Sequence, residues 1–165
     1  MTTKRRPPGT VAFRVLLAAY LPLLLWVFLW KDLAVLELQR PRLSLELLGA
    51  GGGKVNLVPG STLLYYLSLR ENFITGALNI GGNLLGFMPL GALLPLCWAR
   101  FRRLVPTVGA GLLLSGAIET FQLFSTAGDC DVDDLLLNGA GTALGFLALR
   151  WGMRHTALFK SFSTR

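Results

Sequence analysis

Long apolar segments separated by short polar stretches make up most of the chain. Four of these segments have the length of about 17–25 residues that a membrane-spanning helix needs. They cover residues 13–30, 75–98, 104–124 and 134–152. The pattern predicts an all-α fold, an integral membrane bundle of about four transmembrane helices. The first segment lacks a small-residue cleavage site, so we interpret it as a retained anchor rather than a signal peptide.

The stretch between the first and second apolar segments, residues 31–74, is the one long loop in this prediction. Within it, residues 61–69 follow Pro59-Gly60 and are too short to cross a bilayer. The spacing predicts an interfacial or re-entrant helix that starts near Ser61. Residues 75–152 then form the core, which consists of helices two to four.

The composition supports a bilayer as the solvent of this chain. Only 15% of its residues are charged and its mean hydropathy is +0.55, whereas soluble domains carry roughly a quarter charged residues. A net charge of +7 would otherwise indicate a nucleic-acid partner. We expect none, because the basic residues are confined to particular segments.

The placement of lysine and arginine predicts the orientation of the chain. Eleven of the 16 basic residues lie in residues 1–14, 100–103 and 150–165, and these three segments contain no acidic residue. Cytoplasmic segments carry such an excess of basic residues. The N-terminal segment 1–12 and the tail 153–165 are therefore predicted to be cytoplasmic, and loop 31–74 extracytoplasmic.

Polar residues inside three of the predicted helices recur at helical spacing and form one stripe on each helix. The stripes are Asn79 and Asn83; then Ser115, Glu119 and Gln122; then Asp134, Asn138, Gly141 and Gly145. Polar groups are costly in hydrocarbon, so each stripe should face the bundle interior. With the predicted orientation, all three stripes converge in the outer half of the membrane. Asp131, Asp133 and Asp134, in the loop before the fourth helix, lie above them.

This convergence predicts a ligand-binding pocket. Its candidate residues are Asn79, Asn83, Glu119, Gln122, Asp131, Asp134 and Asn138. Other interpretations stay open. The amides can serve only to join helices, and the pairs Gly82/Gly86 and Gly141/Gly145 can serve close helix packing. Asp134 can be a helix N-cap, and the aspartates can bind a divalent cation.

Other chemistry is weakly represented in the sequence. Cys97 and Cys130 are predicted to lie near opposite membrane faces, which excludes a disulfide between them, and neither belongs to a metal-binding motif. The single histidine, His155, lies in the basic tail. We therefore assign no catalytic residue, metal ligand or cofactor, and an enzymatic role is the less favoured alternative.

Several of these residues also form an ordered series of short motifs. The motifs are NLVP at 56–59, NIGGN at 79–83, FMPLG at 87–91 and DVDDLLLN at 131–138. The series resembles the VanZ-like family of bacterial membrane proteins over about residues 55–149. Two departures are visible: Gly60 follows Pro59 where the family often has phenylalanine, and residues 126–129 lack the arginine that usually precedes the aspartates.

The resemblance implies a role in cell-envelope biology or in low-level resistance to teicoplanin-type glycopeptides. It also implies a location in a bacterial inner membrane. Membrane lipids are then the expected partners, and we hypothesise that the predicted pocket contacts a lipid head group, a lipid-linked wall precursor or a lipoglycopeptide. One alternative is a membrane hydrolase or transferase with Glu119 as base and the aspartates as metal ligands. Another alternative is a scaffold without catalysis, and a homo-oligomer stays open.

Overall fold

The computed structural model describes residues 10–35, 55–67, 73–125 and 130–155. The chain ends and most of the predicted loop 31–74 lie outside these residues, as does the departure at residues 126–129. Within the described residues there are four long helices: α1 (Thr10–Val35), α3 (Phe73–Cys97), α4 (Leu104–Ser125) and α5 (Val132–His155). Each is long and apolar enough to cross a membrane, which confirms the predicted all-α bundle of four spanning helices.

Four short elements lie between the long helices in the part of the chain that the structure describes. The helix predicted from Ser61 is present as α2 (Ser61–Leu67), and a single 3-10 turn at Ala99–Phe101 joins α3 to α4. Two strands of two residues each, β1 (Val55–Asn56) and β2 (Cys130–Asp131), pair in parallel. The strand pairing was not predicted, because two residues carry no periodicity that a sequence pattern can reveal.

Helices α3 and α5 form the centre of the bundle, with α4 packed on α5 and α1 packed on α3. Gly141 and Gly145 allow the close approach of α5 to α3. A Cβ atom at Gly145 would lie 1.9 Å from the carbonyl oxygen of Met88, and one at Gly141 would lie 2.3 Å from that of Leu84. This pair therefore packs backbone against backbone, as small residues do between membrane helices.

The glycine pair on α3 behaves differently from the expectation. Gly86 faces α1, where a Cβ atom would lie 2.7 Å from the ring of Phe28. That ring packs edge-on against Phe87, with 5.2 Å between the ring centroids. Gly82, however, has no described atom within 4 Å of its Cβ position. The close packing that the sequence left open for this pair is therefore present at Gly86 but is not seen at Gly82 among the described residues.

Much of the apolar surface of the four helices faces outward. Only 17% of the residues in the most apolar part of α1 are buried within the protein, and 44% in α5, the most buried of the four. Leu85, Leu113 and Trp151 are each at least 66% exposed. Apolar side chains in such numbers on the outside of a bundle are stable where the solvent is lipid.

The helices run up and down, so the beginning of α1 and the end of α5 lie at the same end of the bundle. Arg14 of α1 donates a hydrogen bond from its Nη2 to the carbonyl oxygen of Cys97, which closes α3, at 3.3 Å. Arg102 and Arg103, just before α4, share a cavity with Arg150 and Arg154 near the end of α5. This basic end is opposite the end where the predicted polar stripes meet.

Candidate functional site

A cluster of buried polar side chains occupies the other end of the bundle, where α3 and α5 begin and α4 ends. We call it the polar cluster. Its members are at most 4% exposed and are Asn83, Ser115, Glu119, Asp131, Asp133, Asp134 and Asn138. Five of the seven residues predicted from the sequence belong to it. The stripes on α4 and α5 face the interior, as predicted.

Asn83 and Asp134 join the two central helices inside the cluster. The Nδ2 of Asn83, a fully buried residue of α3, donates a hydrogen bond to Oδ1 of Asp134 in the first turn of α5. A charge-assisted bond of this kind compensates part of the cost of burying a carboxylate. The contact is the direct result of the convergence that the helical stripes predicted.

Glu119 and Asp131 join α4 to the start of α5. The backbone nitrogen of Asp131 donates a hydrogen bond to Oε2 of Glu119 at 2.9 Å. Oδ1 of Asp131 in turn accepts a hydrogen bond from the backbone nitrogen of Asp133 at 2.9 Å. Asp131 immediately precedes α5 and is its N-cap. The interpretation of Asp134 as the N-cap is therefore wrong, since the helix begins two residues before it.

The segment before α2 supplies a second set of contacts to Asp131. Asn56 donates from Nδ2 to Oδ1 of Asp131 at 3.1 Å, and Thr62 donates from its hydroxyl to Oδ2 at 2.6 Å. Burial raises the pKa of the Asp131 carboxyl above its usual value of 3.8, although these hydrogen bonds lower it. Asn56 lies in the NLVP motif, which was the only sequence signal for this contact, and Thr62 gave none.

Asp133 has a structural role that sequence analysis did not identify. Its carboxylate accepts hydrogen bonds from the backbone nitrogens of Gly60, Thr62 and Leu63, at 2.6, 2.9 and 3.2 Å. It therefore caps the N-terminus of α2, where such amides have no partner within their own helix. The turn before α2 requires Gly60, which has φ +85°, a conformation that side chains other than glycine rarely adopt.

Asn138 continues the cluster toward the centre of the bundle. Its Nδ2 donates a hydrogen bond to the hydroxyl of Ser115 at 2.8 Å, and its backbone carbonyl oxygen accepts one from the hydroxyl of Thr142 at 2.9 Å. The side-chain oxygen Oδ1 of Asn138 is buried and accepts no hydrogen bond from any residue that the structure describes. A buried acceptor without a donor costs about 1–3 kcal/mol.

The two remaining predicted residues lie beside the cluster. Asn79 is one helical turn before Asn83 and is half-buried. Its Oδ1 is a second buried acceptor that receives no hydrogen bond within the described parts of the chain. Gln122 is fully buried on α4, and its Nε2 donates to the carbonyl oxygen of Phe28 in α1 at 2.9 Å. Gln122 therefore connects α4 to α1.

The described residues do not bring together a group of three or more histidine, cysteine, aspartate and glutamate side chains able to hold a metal ion. Among them, the aspartate ligand set that the metal-dependent enzyme alternative requires is not assembled. Cys97 and Cys130 are both free. The pKa of the Cys130 thiol is raised by burial and by the nearby Glu119 and Asp131 carboxylates, which makes it a poor nucleophile at neutral pH.

Comparison with known proteins identifies one family. The sequence model described as VanZ/LLP1 matches residues 15–153, which include most of α1 and α5, all of α3 and α4, and the whole polar cluster. No match was found among curated proteins or among solved structures. Because the family match covers most of the chain, from the first turns of α1 nearly to the end of α5, this protein belongs to the VanZ/LLP1 family.

Proposed function

We propose that this VanZ-like membrane protein acts in the cell envelope of a bacterium and lowers susceptibility to teicoplanin-type glycopeptides. In this proposal it resides in the inner membrane with both termini in the cytoplasm. The polar cluster then lies in the outer half of the bilayer. There it binds the head group of a lipid-linked wall precursor or the polar part of a lipoglycopeptide.

The separation of charge between the two ends of the bundle supports this orientation. The acidic residues of the polar cluster lie at one end of the bundle. The basic end is opposite and contains Arg14, Arg100, Arg102, Arg103, Arg150 and Arg154. Basic residues at helix ends remain on the cytoplasmic side during insertion. The polar cluster then lies at the end of the bundle nearer the outside of the cell, where glycopeptides and wall precursors are found.

The chemistry of the cluster favours a ligand that donates hydrogen bonds. The carboxylates of Glu119, Asp131, Asp133 and Asp134 accept hydrogen bonds and donate none when ionised. The sequence from residue 104 to residue 149, which contains all four, includes no lysine or arginine. Sugar hydroxyls, amides and ammonium groups suit such a site, and lipid-linked wall precursors and lipoglycopeptides carry these groups.

The observation that carries the proposal is the pair of buried amide oxygens on Asn79 and Asn138. Each lies one helical turn from the Asn83–Asp134 contact, and neither receives a hydrogen bond from the described residues. A purely structural amide normally satisfies both of its ends. Two unsatisfied acceptors beside one acidic cluster are the arrangement expected of a site that completes its hydrogen bonds with a ligand.

Expression in a glycopeptide-sensitive Gram-positive host tests the function. The minimum inhibitory concentrations of teicoplanin and vancomycin are measured for wild type, Glu119→Gln and Asn79→Leu, with membrane abundance checked by immunoblot. We expect a teicoplanin-selective rise with wild type that both variants lose at equal abundance. No rise with abundant wild-type protein would contradict the resistance role.

A scaffold role is the second candidate, and it is favoured by the hydrogen bonds that Glu119 and Gln122 form with backbone groups. The same variants distinguish this role from ligand binding. Replacing Asn79 removes an unsatisfied acceptor, so thermal stability in detergent should stay equal or rise even as resistance is lost. A scaffold predicts the reverse, since resistance would then follow stability. Gly82→Ala, which adds a methyl group in open space on the same helix, is the matched control.

A further inference from the structure

A groove with very different chemistry lies at the basic end of the bundle, far from the polar cluster. It has a volume of about 720 Å³ and is bordered by Arg102 and Arg103 before α4 and by Arg150 and Arg154 in the last turns of α5. We call it the arginine groove. Its volume is within the range of about 300–1,000 Å³ that small-molecule sites occupy.

The positions of the four arginines follow from the fold. Arg150 and Arg154 are four residues apart and therefore share one face of α5. Arg102 and Arg103 belong to the connection that brings the chain from α3 into α4, and α4 packs directly on α5. The guanidinium of Arg150 lies 5.9 Å from the centre of the buried Phe146 ring, a cation–π distance that orients it.

The positive charge of the groove has no acidic counterpart in the surrounding sequence. Residues 72–118 and 135–165 contain no aspartate or glutamate. The buried acidic residues of α4 and α5 belong to the polar cluster at the opposite end of the bundle. Gathering like charges costs free energy, and an anion bound among the arginines would remove that cost.

Apolar and exposed side chains form the rest of the groove lining, beside the arginines and the buried Phe146. Leu104, Leu147 and Trp151 are 39%, 51% and 66% exposed, and all three border the cavity. They belong to the ends of two membrane-spanning helices, where hydrocarbon gives way to the head-group region. A free anion would satisfy the arginines but would leave these side chains uncovered, whereas a lipid covers both.

We propose that the arginine groove binds an anionic phospholipid. Its phosphate contacts the four guanidinium groups and its acyl chains lie along Leu104, Leu147 and Trp151. Arginine suits this ligand because its planar fork forms paired hydrogen bonds with phosphate oxygens, and basic pockets between spanning helices bind anionic head groups. The site is distinct from the polar cluster, and it does not depend on the proposed role in resistance.

A plainer explanation of these arginines is that they only orient the chain in the membrane. That role requires positive charge and no particular arrangement, so lysine serves it equally well. A bound phosphate, in contrast, distinguishes the fork of arginine from the single ammonium group of lysine. Charge-conserving variants therefore separate the two explanations.

The test uses the purified full-length protein in a neutral detergent. Native mass spectrometry and thermal unfolding measure binding of phosphatidylglycerol and diphosphatidylglycerol, with phosphatidylcholine as the neutral lipid and inorganic phosphate as the free anion. We expect the two anionic lipids to bind and to raise the unfolding temperature, and phosphatidylcholine and inorganic phosphate to have little effect. Stabilisation by inorganic phosphate equal to that by the lipids would overturn the assignment to a lipid.

Variants then locate the site. The double variant Arg150→Gln/Arg154→Gln should bind the anionic lipids about tenfold more weakly or worse, because it removes two of the four guanidinium groups that contact the phosphate. Arg100→Gln, in the same connection but outside the groove, should bind as wild type. Equal weakening by Arg100→Gln, or no weakening by the double variant, would overturn the proposal.

A second pair of changes addresses the case in which the glutamine variant does not fold. Arg150→Lys/Arg154→Lys conserves the charge and should insert and fold as wild type, yet should lose several-fold in affinity for the anionic lipids. Unchanged affinity in this lysine variant would mean that the arginines only orient the chain in the membrane, and it would overturn the proposal of a phospholipid site.

Discussion

The carboxylate of Glu119 and the backbone nitrogen of Asp131 form a buried hydrogen bond of 2.9 Å, and each residue is only 4% exposed. The contact connects the end of α4 to the strand residue that caps α5. A glutamate within a predicted span thus meets part of its burial cost by accepting a hydrogen bond from a backbone group that would otherwise be unsatisfied.

Removing this acceptor should destabilise the protein. Glu119→Leu leaves the buried Asp131 N–H unsatisfied, and we expect the free energy of unfolding to fall by about 1–3 kcal/mol. Glu119→Gln retains an acceptor oxygen and should lose clearly less. Thermal unfolding in detergent measures the difference. Thr120→Ala, at the exposed next position, is the control, and equal stability of the leucine and glutamine variants would contradict the interpretation.

The approach of α5 to α3 gives a second prediction. Gly145→Ala would place a methyl group 1.9 Å from the carbonyl oxygen of Met88, so the two helices must separate. We expect a loss of about 1–3 kcal/mol or more from such overpacking. Gly82→Ala meets no described atom within 4 Å and should be neutral or slightly stabilising, because alanine is favoured in helices. If both variants unfold at the same temperature, the close backbone packing is incorrect.

The cap on α2 can be tested locally. Asp133→Ala removes the acceptor for the amides of Gly60, Thr62 and Leu63 and should cost about 1 kcal/mol, as cap losses do. Hydrogen exchange should accelerate in residues 60–67 while α3 stays protected. Ser61→Ala removes the hydroxyl contacts with Asn56 and Val58 but keeps the Asp133 acceptor for these amides, and it is the comparison. Unchanged exchange in Asp133→Ala would exclude the capping role.

The buried Asp131 carboxyl predicts a pH dependence of stability. Its pKa in the folded protein is raised above 3.8, so the folded state holds this proton more tightly than the unfolded state. The resulting stabilisation is fully present below the unfolded pKa and is lost as pH rises through the folded pKa. Wild type should therefore lose stability relative to Asp131→Asn as pH increases from about 4. A parallel pH dependence in the two proteins would contradict this account.

Sequence patterns predicted the bundle well because spanning helices are encoded locally. The number of apolar segments and the stripes on α4 and α5 depend only on residues within one helix. The NLVP motif likewise marked Asn56, although its contact with Asp131 was not foreseen. Two alternatives that the sequence left open, Asp134 as a helix cap and Gly82 as a packing residue, differ from the contacts in the structure. Both depend on which neighbouring group lies next to the residue.

The amino-acid sequence by itself determined that four apolar helices span a membrane, and that carboxylates and amides face inward near one end. The tertiary structure alone decided the partners. Asp133 caps a helix 73 residues earlier in the sequence at Gly60, Gln122 contacts Phe28 across 94 residues, and arginines of two segments border one groove. The physical reason is that periodicity specifies the face of a helix, whereas the rotation and height of one helix against another depend on packing along the whole interface.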